Sequence, residues 1–343
     1  MPIYNLWGES VNIEIPEDVF PDEAFLKQRD ELFDHPQHGW FESTFEGKKL
    51  HYRYNLPKGN KPKAIVVWQH GILGQSGFGM KCQDGRYTDF ALRSRTYNAQ
   101  NMACYAHDQL GHGFSEGTRM YIPNGRWTIN RDDLVKFVEF VSAQHPGVPI
   151  FVSGDSYGGC LAIHAGQELY ERKSVPLKGL LLNCPAIHGD LPPKPVIWLL
   201  RYGFAPWFPK WTPFFMPHPI TAERVWKEPE PRAYFTDKGE MRELAQGGVP
   251  FCLGTAVGLL LALQTVERTV VPKVEMPFHI NHGKQDYGVP ITGSEHMVQN
   301  SKTPQEDIVF NAIDGGYHGL FSQLDAPSFL ESELKFVERI LKK

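Results

Sequence analysis

PIFVSGDSYGGCLAIHAGQEL, residues 149–169, decides the fold. PIFVSG (149–154) is a short apolar run of strand character, and a helix-forming stretch begins directly after the serine. The chemistry requires that junction. A strand ending in a sharp turn, followed at once by a helix, presents the Ser156 hydroxyl at the C-terminal edge of a parallel sheet. Gly154, Gly158 and Gly159 permit the strained turn and the close strand–helix contact. The bare pattern G-x-S-x-G occurs a second time, around Ser115 in GFSEG (113–117). There it lies in a glycine-rich loop followed by RMYIPNG, with no strand or helix in place. Ser156 is therefore the candidate nucleophile and Ser115 a loop serine. The bland alternative for Ser156 is a glycine-rich strand–helix turn without chemistry.

Outward from this segment, apolar runs alternate with helical ones. AIVVWQ (64–69), MACYAH (102–107), LKGLLLN (177–183), MPFHIN (276–281) and DIVFNAI (307–313) read as further strands. Helices are expected over 87–99, 129–144, 157–172, 292–299 and 327–341. The runs 39–45 and 50–55, joined by EGKK, read as a hairpin, and one helical piece falls near 22–33. Alternation of this kind predicts a mostly parallel, eight-stranded α/β sheet with helices on both faces. It breaks at Cys184-Pro185, where a stretch rich in proline and tryptophan begins. The expected organisation is an N-terminal extension (1–38), a first core segment (39–184), an inserted helical cap or lid (185–272) and a second core segment (273–343).

A serine hydroxyl is a weak nucleophile until a base takes its proton. In this class of fold the acid and then the histidine follow the serine along the chain. Asp286 follows strand MPFHIN, and His318 follows strand DIVFNAI, so both fall on loops at the strand ends where catalytic groups collect. Asp314, four residues before His318, is the rival carboxylate. An aspartate in a glycine-rich loop is commonly a turn former, and a lone histidine commonly structural. The joint order with Ser156 carries the assignment. Two backbone N–H groups should form the oxyanion hole: Tyr157, directly after the nucleophile, and Ile72, in HGI after strand AIVVWQ. Leu73, beside Ile72, and side chains of the cap are expected to bind substrate. Asp108, His112 and Ser115 read as loop-stabilising, and Cys160 as a small core residue.

Composition narrows the partners. Hydrophobic residues make up 41% and charged residues 22%, with a net charge of −4, so nothing points to nucleic acid. The 14 histidines form no HExxH or comparable cluster, and neither a metal nor a cofactor is expected. Five scattered cysteines suit a reducing compartment, and the N-terminus lacks a signal-peptide pattern, so a cytoplasmic protein is expected. Residues 247–266 carry no charge and are just long enough to span a bilayer. A span there would separate Ser156 from Asp286 and His318, so a buried or lipid-facing helix is expected instead. VIWLLRYGFAPWFPKWTPFFM (196–216) reads as cap core and pocket wall. Its alternative is an interfacial patch making peripheral membrane contact, with Arg201 and Lys210 near headgroups.

DQLGHGFSEG (108–117), WQHGILG (68–74), SGDSYGG (153–159), HGKQD (282–286) and YHGLF (317–321) together resemble monoacylglycerol lipases and lysophospholipases. The resemblance runs over roughly residues 40–340, within usual boundary error. It implies an α/β-hydrolase that cleaves carboxylic esters of acyl chains under a helical cap. It also gives Ser156, Asp286 and His318 the triad roles, and Ile72 and Tyr157 the oxyanion roles. This chain departs from the family in Ile-Leu-Gly-Gln after the His-Gly pair, and in Asp155 and Tyr157 at the elbow, where His and Met are common. Other carboxylesterase, thioesterase, peptidase or acyltransferase chemistry fits the same triad, as does a ligand-binding protein with slow residual turnover. A serine at the elbow argues against dehalogenase and epoxide hydrolase chemistry, to which resemblance would give an aspartate. Acyl length, head group and oligomeric state are not written in the sequence.

Overall fold

The structure is a computed structural model that describes residues 27, 29–34, 36–59, 61–72, 74–189, 192–212, 221–237 and 252–343. Its centre is an eight-stranded sheet of β1 (Gln37–Glu42), β2 (Lys49–Asn55), β3 (Ala64–Gln69), β4 (Met102–His107), β5 (Ile150–Asp155), β6 (Leu177–Asn183), β7 (Phe278–Gly283) and β8 (Ile308–Ile313). The spatial order is β1-β2-β4-β3-β5-β6-β7-β8. The β1–β2 and β2–β4 pairings are antiparallel, and every later pairing is parallel. The helices flanking it are α1 (Asp89–Ala99), α2 (Thr128–Gln144) and α3 (Tyr157–Arg172), then, after the segment between β6 and β7, α8 (Thr292–Asn300) and α9 (Ala326–Leu341).

Side chains of the central strands alternate between two cores. Ile65, Val67, Ile150, Val152, Leu180 and Leu182 join the core that holds residues of α2 and α3. Val66, Trp68, Phe151 and Leu181 join the core that holds residues of α1 and α9. Both faces of β3, β4 and β5 are buried, which is why these strands read as unbroken apolar runs. Trp68 stacks on Phe90 of α1 at a ring-centroid distance of 4.1 Å, fastening helix to sheet. Truncating a fully buried ring such as Phe151 would cost about 3–5 kcal/mol.

The order reverses between β3 and β5, whose following segments leave in different directions along the sheet. Open α/β sheets form a crevice at such a switch point, beyond the C-terminal strand ends. The loops after β3, β5, β7 and β8 share that edge because these strands are mutually parallel. The expected strands and helices thus appear within a few residues of their sequence positions. β1 begins at Gln37, inside the stretch expected as an N-terminal extension, and most of the helical piece expected near 22–33 lies outside the described residues.

Between β6 and β7 the chain forms α4 (Lys194–Trp198), which continues as a π-turn over Leu199–Phe204, then α5 (Ala222–Val225), α6 (Pro229–Asp237) and α7 (Leu253–Thr265). Among the described residues no helix is long and apolar enough to cross a membrane. Within the 247–266 stretch, of which 247–251 lie outside the described residues, Leu253–Thr265 form α7, whose glycines face the 121–122 segment. A Cβ on Gly258 would stand 2.8 Å from the Ile122 side chain. Core-and-wall packing for the 196–216 stretch does not hold for its largest described side chains. Trp207 is 77% and Trp198 63% exposed, and Tyr202 and Phe208 are also exposed. Neither α4 nor its π-turn has a buried residue; among the described residues, Leu200 of the turn and Ala205 after it pack on Leu253, Val257 and Leu261 of α7, while the large rings stay exposed.

Candidate active site

The turn that carries Ser156 is built by the end of β5 and the start of α3. Ser156 takes φ 55° and ψ −125°, a conformation that costs a non-glycine residue on the order of 1–3 kcal/mol. Three backbone bonds hold it there. Ser156 N–H donates to Asn183 O (3.1 Å), while its own carbonyl accepts from Cys160 N–H (3.2 Å) and Ala186 N–H (2.9 Å). Gly158 is required by close approach, since a Cβ there would strike the carbonyls of Gln69 and His70. The Ser156 hydroxyl has no hydrogen-bond partner among the described residues. Serine–imidazole contacts are often long until substrate binds.

The loop after β3 runs directly over the serine. A Cβ on Gly71 would stand 3.0 Å from Ser156 Cβ and 3.6 Å from its Oγ. The next residue in that loop is Ile72, and Tyr157, first residue of α3, directly follows Ser156. His70 secures this loop. Its Nε2 accepts from Gln109 N–H (3.0 Å), which leaves the proton on Nδ1, 2.7 Å from Gly71 O. Burial pushes its pKa down to about 3, so the ring stays neutral and keeps that tautomer. Leu73 lies outside the described residues.

Asp286 and His318 come together although 32 residues separate them in sequence: His318 Nδ1 stands 2.7 Å from Asp286 Oδ2. The Asp286 carboxylate is buried, and its Oδ1 accepts the N–H groups of Gly288 and Val289, each at 2.8 Å. Burial alone would raise this carboxyl, but the charge of His318 and the ring donors of His318 and His282 hold it well below the usual range. His318 moves the opposite way. Burial would lower it, yet Asp286, and behind it Asp155, raise it above an ordinary histidine. The rival Asp314 is 88% exposed and pairs with Lys284 at 2.8 Å, so it plays no part here.

The supporting loop behaves as its composition suggests. Buried Asp108 accepts from Ser76 N–H (2.5 Å) and Phe114 N–H (3.0 Å), and its Oδ2 stands 2.8 Å from His51 Nδ1. Ser115 Oγ donates to Asp108 O at 2.7 Å. His112 is buried and 3.1 Å from Leu110 O, and Cys160 is fully buried. All five cysteines are buried and unpaired.

Two contributors were not singled out in the sequence. His282, within HGKQD, is fully buried and reaches Asp286 Oδ2 at 3.4 Å. Arg93, on α1, is fully buried and donates to Asp155 Oδ1 at 2.8 Å and to Ser153 Oγ at 2.6 Å. The only local signal for His282 is a polar residue at a β7 position with no solvent to face. Arg93 has none, because its partners lie far away in sequence.

A parallel sheet with a switch-point crevice, a strained serine on a strand–helix turn and a histidine–aspartate pair on later strand ends define an α/β-hydrolase. The profile of the family Hydrolase_4, described as serine aminopeptidase, S33, matches residues 60–325, and the chain belongs to that family. The rat (Rattus norvegicus) monoglyceride lipase is 28% identical over 285 residues, covering 81% of this chain and 82% of that protein. A monoacylglycerol lipase of Mycolicibacterium smegmatis is 24% identical over 277 residues, covering 80% of this chain and 88% of its own. A soluble variant of monoglyceride lipase from Saccharomyces cerevisiae shares the fold at TM-score 0.66 and 17% identity, over 90% of this chain and 95% of that one. By family and these relatives the chain is a monoacylglycerol-lipase-like carboxylic ester hydrolase.

Proposed function

We propose that this enzyme hydrolyses carboxylic esters of acyl chains, of monoacylglycerol or lysophospholipid type, through an acyl-enzyme on Ser156. The observation that carries the reading is the 2.7 Å His318–Asp286 contact on loops at the sheet edge where Ser156 stands. Ser156 Oγ attacks the ester carbonyl while His318 Nε2 takes its proton. The oxyanion is held by the N–H groups of Ile72 and Tyr157, and His318 returns the proton to the leaving alcohol. Water, deprotonated by the same imidazole, then releases the fatty acid. Asp286 fixes the Nδ1–H tautomer and stabilises the imidazolium. Relatives named for monoglyceride and monoacylglycerol support the acyl-ester substrate.

Residues 185–272 act in this reading as the cap over the crevice. The exposed Trp198, Tyr202, Trp207 and Phe208, with Lys194, Arg201 and Lys210 along the same segment, support peripheral contact with a lipid surface. Five unpaired thiols support a reducing, cytoplasmic compartment. The decisive test is a substrate panel of monoacylglycerols, lysophospholipids, p-nitrophenyl esters, an acyl thioester and an aminoacyl anilide, run with wild type and Ser156→Ala. Turnover of the acyl esters that disappears in the variant is expected. A preference for the anilide would move the activity to peptide chemistry, and turnover unchanged in Ser156→Ala would remove the nucleophile assignment.

A further inference from the structure

Behind Asp286 a line of polar contacts continues into the protein. Its Oδ1 is pinned by the Gly288 and Val289 N–H groups, but the other oxygen, which receives His318, has no backbone donor among the described residues. The second group reaching Oδ2 is His282 Nε2, at 3.4 Å, on the buried strand β7. The same nitrogen makes its hydrogen bond to Val289 O, at 3.1 Å, so the approach to Oδ2 is the longer arm of one shared N–H. Both neighbours only accept, so Nε2 must carry a hydrogen. The remaining ring nitrogen, Nδ1, stands 2.7 Å from Ser294 Oγ in the first turn of α8. Ser294 is itself fully buried. With a hydrogen on Nε2, Nδ1 accepts the Ser294 hydroxyl proton, and both ring nitrogens of His282 have partners.

We propose that His282, oriented by Ser294, is the positioning residue of the acid–base pair: its Nε2–H fixes the Asp286 oxygen that receives His318. The inference rests on the reading of Asp286 and His318 as that pair. Two backbone bonds hold one carboxylate oxygen, and a third point is needed to set the plane in which the other meets the imidazole. A donor on that oxygen also draws off part of its charge, so it tempers how strongly Asp286 holds the His318 proton. The ionisable groups around this array are Asp286 and His282 on the β7 side, Cys184 after β6 and Asp155 at the end of β5; Tyr287 and Tyr317, next in sequence to Asp286 and His318, pack edge to face on each other. Burial pushes the Cys184 thiol up, so it adds no charge.

The test measures kcat, KM and the pH dependence of kcat/KM for p-nitrophenyl butyrate in His282→Leu, His282→Gln and Ser294→Ala, with thermal unfolding of each. The expected result for His282→Leu is a kcat loss on the order of ten- to a hundredfold with KM little changed, the size that misplacing a reacting group produces. Its acid limb should move to higher pH, because Asp286 then holds the imidazolium more strongly. Gln places an N–H where Nε2 stood, so His282→Gln should restore much of kcat. Ser294→Ala should shift the limb the same way with a smaller kcat loss. If His282→Leu does not fold, His282→Gln and Ser294→Ala carry the comparison. An unmoved limb in the variants that fold, with activity tracking only the amount of folded protein, overturns the proposal. Asp286→Ala run in parallel separates the cases: if it too retains full kcat, the pair itself is misassigned.

Discussion

Arg93 Nη1 donates to Asp155 Oδ1 across 2.8 Å, and Asp155 is the residue directly before the candidate nucleophile. The guanidinium is fully buried, also bonds Ser153 Oγ, and lies 4.7 Å over the ring of Phe321, three residues after His318. One cation on α1 thus ties the nucleophile strand to the histidine loop, with buried Glu333 of α9 as a further acidic neighbour.

Arg93→Met should therefore destabilise strongly. Removing one partner of a buried ion pair leaves an uncompensated carboxylate and costs about 3–5 kcal/mol. Asp155 keeps some solvent contact, so the lower end is expected. Urea unfolding at neutral pH measures it, and a loss below about 1 kcal/mol, the size of a surface pair, would refute the structural role.

Asp286→Asn should leave the fold intact and lower kcat by about 10⁴, since the amide cannot hold the tautomer that His318 needs. Ser156→Ala should lower it at least as far. Both variants are expected to unfold cooperatively, which separates chemistry from folding. Retention of more than about a tenth of wild-type turnover in either would contradict the assignment.

The acid limb of kcat/KM should lie above the 6.5 of an unperturbed histidine. In the proposed mechanism the neutral imidazole is the base, so activity should fall as pH drops through the raised pKa of His318. The sign for stability is opposite. Attraction between imidazolium and Asp286 stabilises the fold fully below pH 6.5 and is lost as pH rises through the folded-state value. In Asp286→Asn the limb should move to lower pH, which a stopped assay on a reactive ester over pH 5–9 would show.

Global stability should fall steeply below pH 6.5. Burial lowers His70, His107 and His279 to about 3, and His112 and His164 to about 4. Below pH 6.5 the unfolded chain takes up protons on these rings that the folded protein refuses, so stability drops with pH until the folded values are reached. Summed over these sites the loss between pH 7 and 5 is on the order of several kcal/mol. It outweighs the opposing contributions of His318 and of buried Asp89, whose carboxyl burial raises to about 6. A urea midpoint unchanged between these pH values would contradict it.

Trp198→Ser combined with Trp207→Ser should reduce co-sedimentation with anionic vesicles by tenfold or more while leaving turnover of a water-soluble ester within about twofold, since each buried indole contributes on the order of 1–2 kcal/mol at an interface. Absence of vesicle binding by the wild type would remove the docking reading.

Much of this protein is legible in sequence because its signals are local. The strand–Ser–helix junction at 149–172, the apolar runs of the parallel strands and the order Ser156, Asp286, His318 each follow from short-range pattern. Pattern also places the acid and base on strand ends, because the period of a buried strand and its loop is written in a few residues. Pairings between distant residues leave no such trace. Only the tertiary structure sets Asp286, rather than Asp314, against His318, and exposes Trp207 where a packed core was expected. Only it brings Arg93 beneath Asp155 and His282 behind Asp286. The physical reason is that composition determines how much apolar surface a segment must hide, whereas a buried charge or ring nitrogen is satisfied by whichever distant group the closed sheet carries to it.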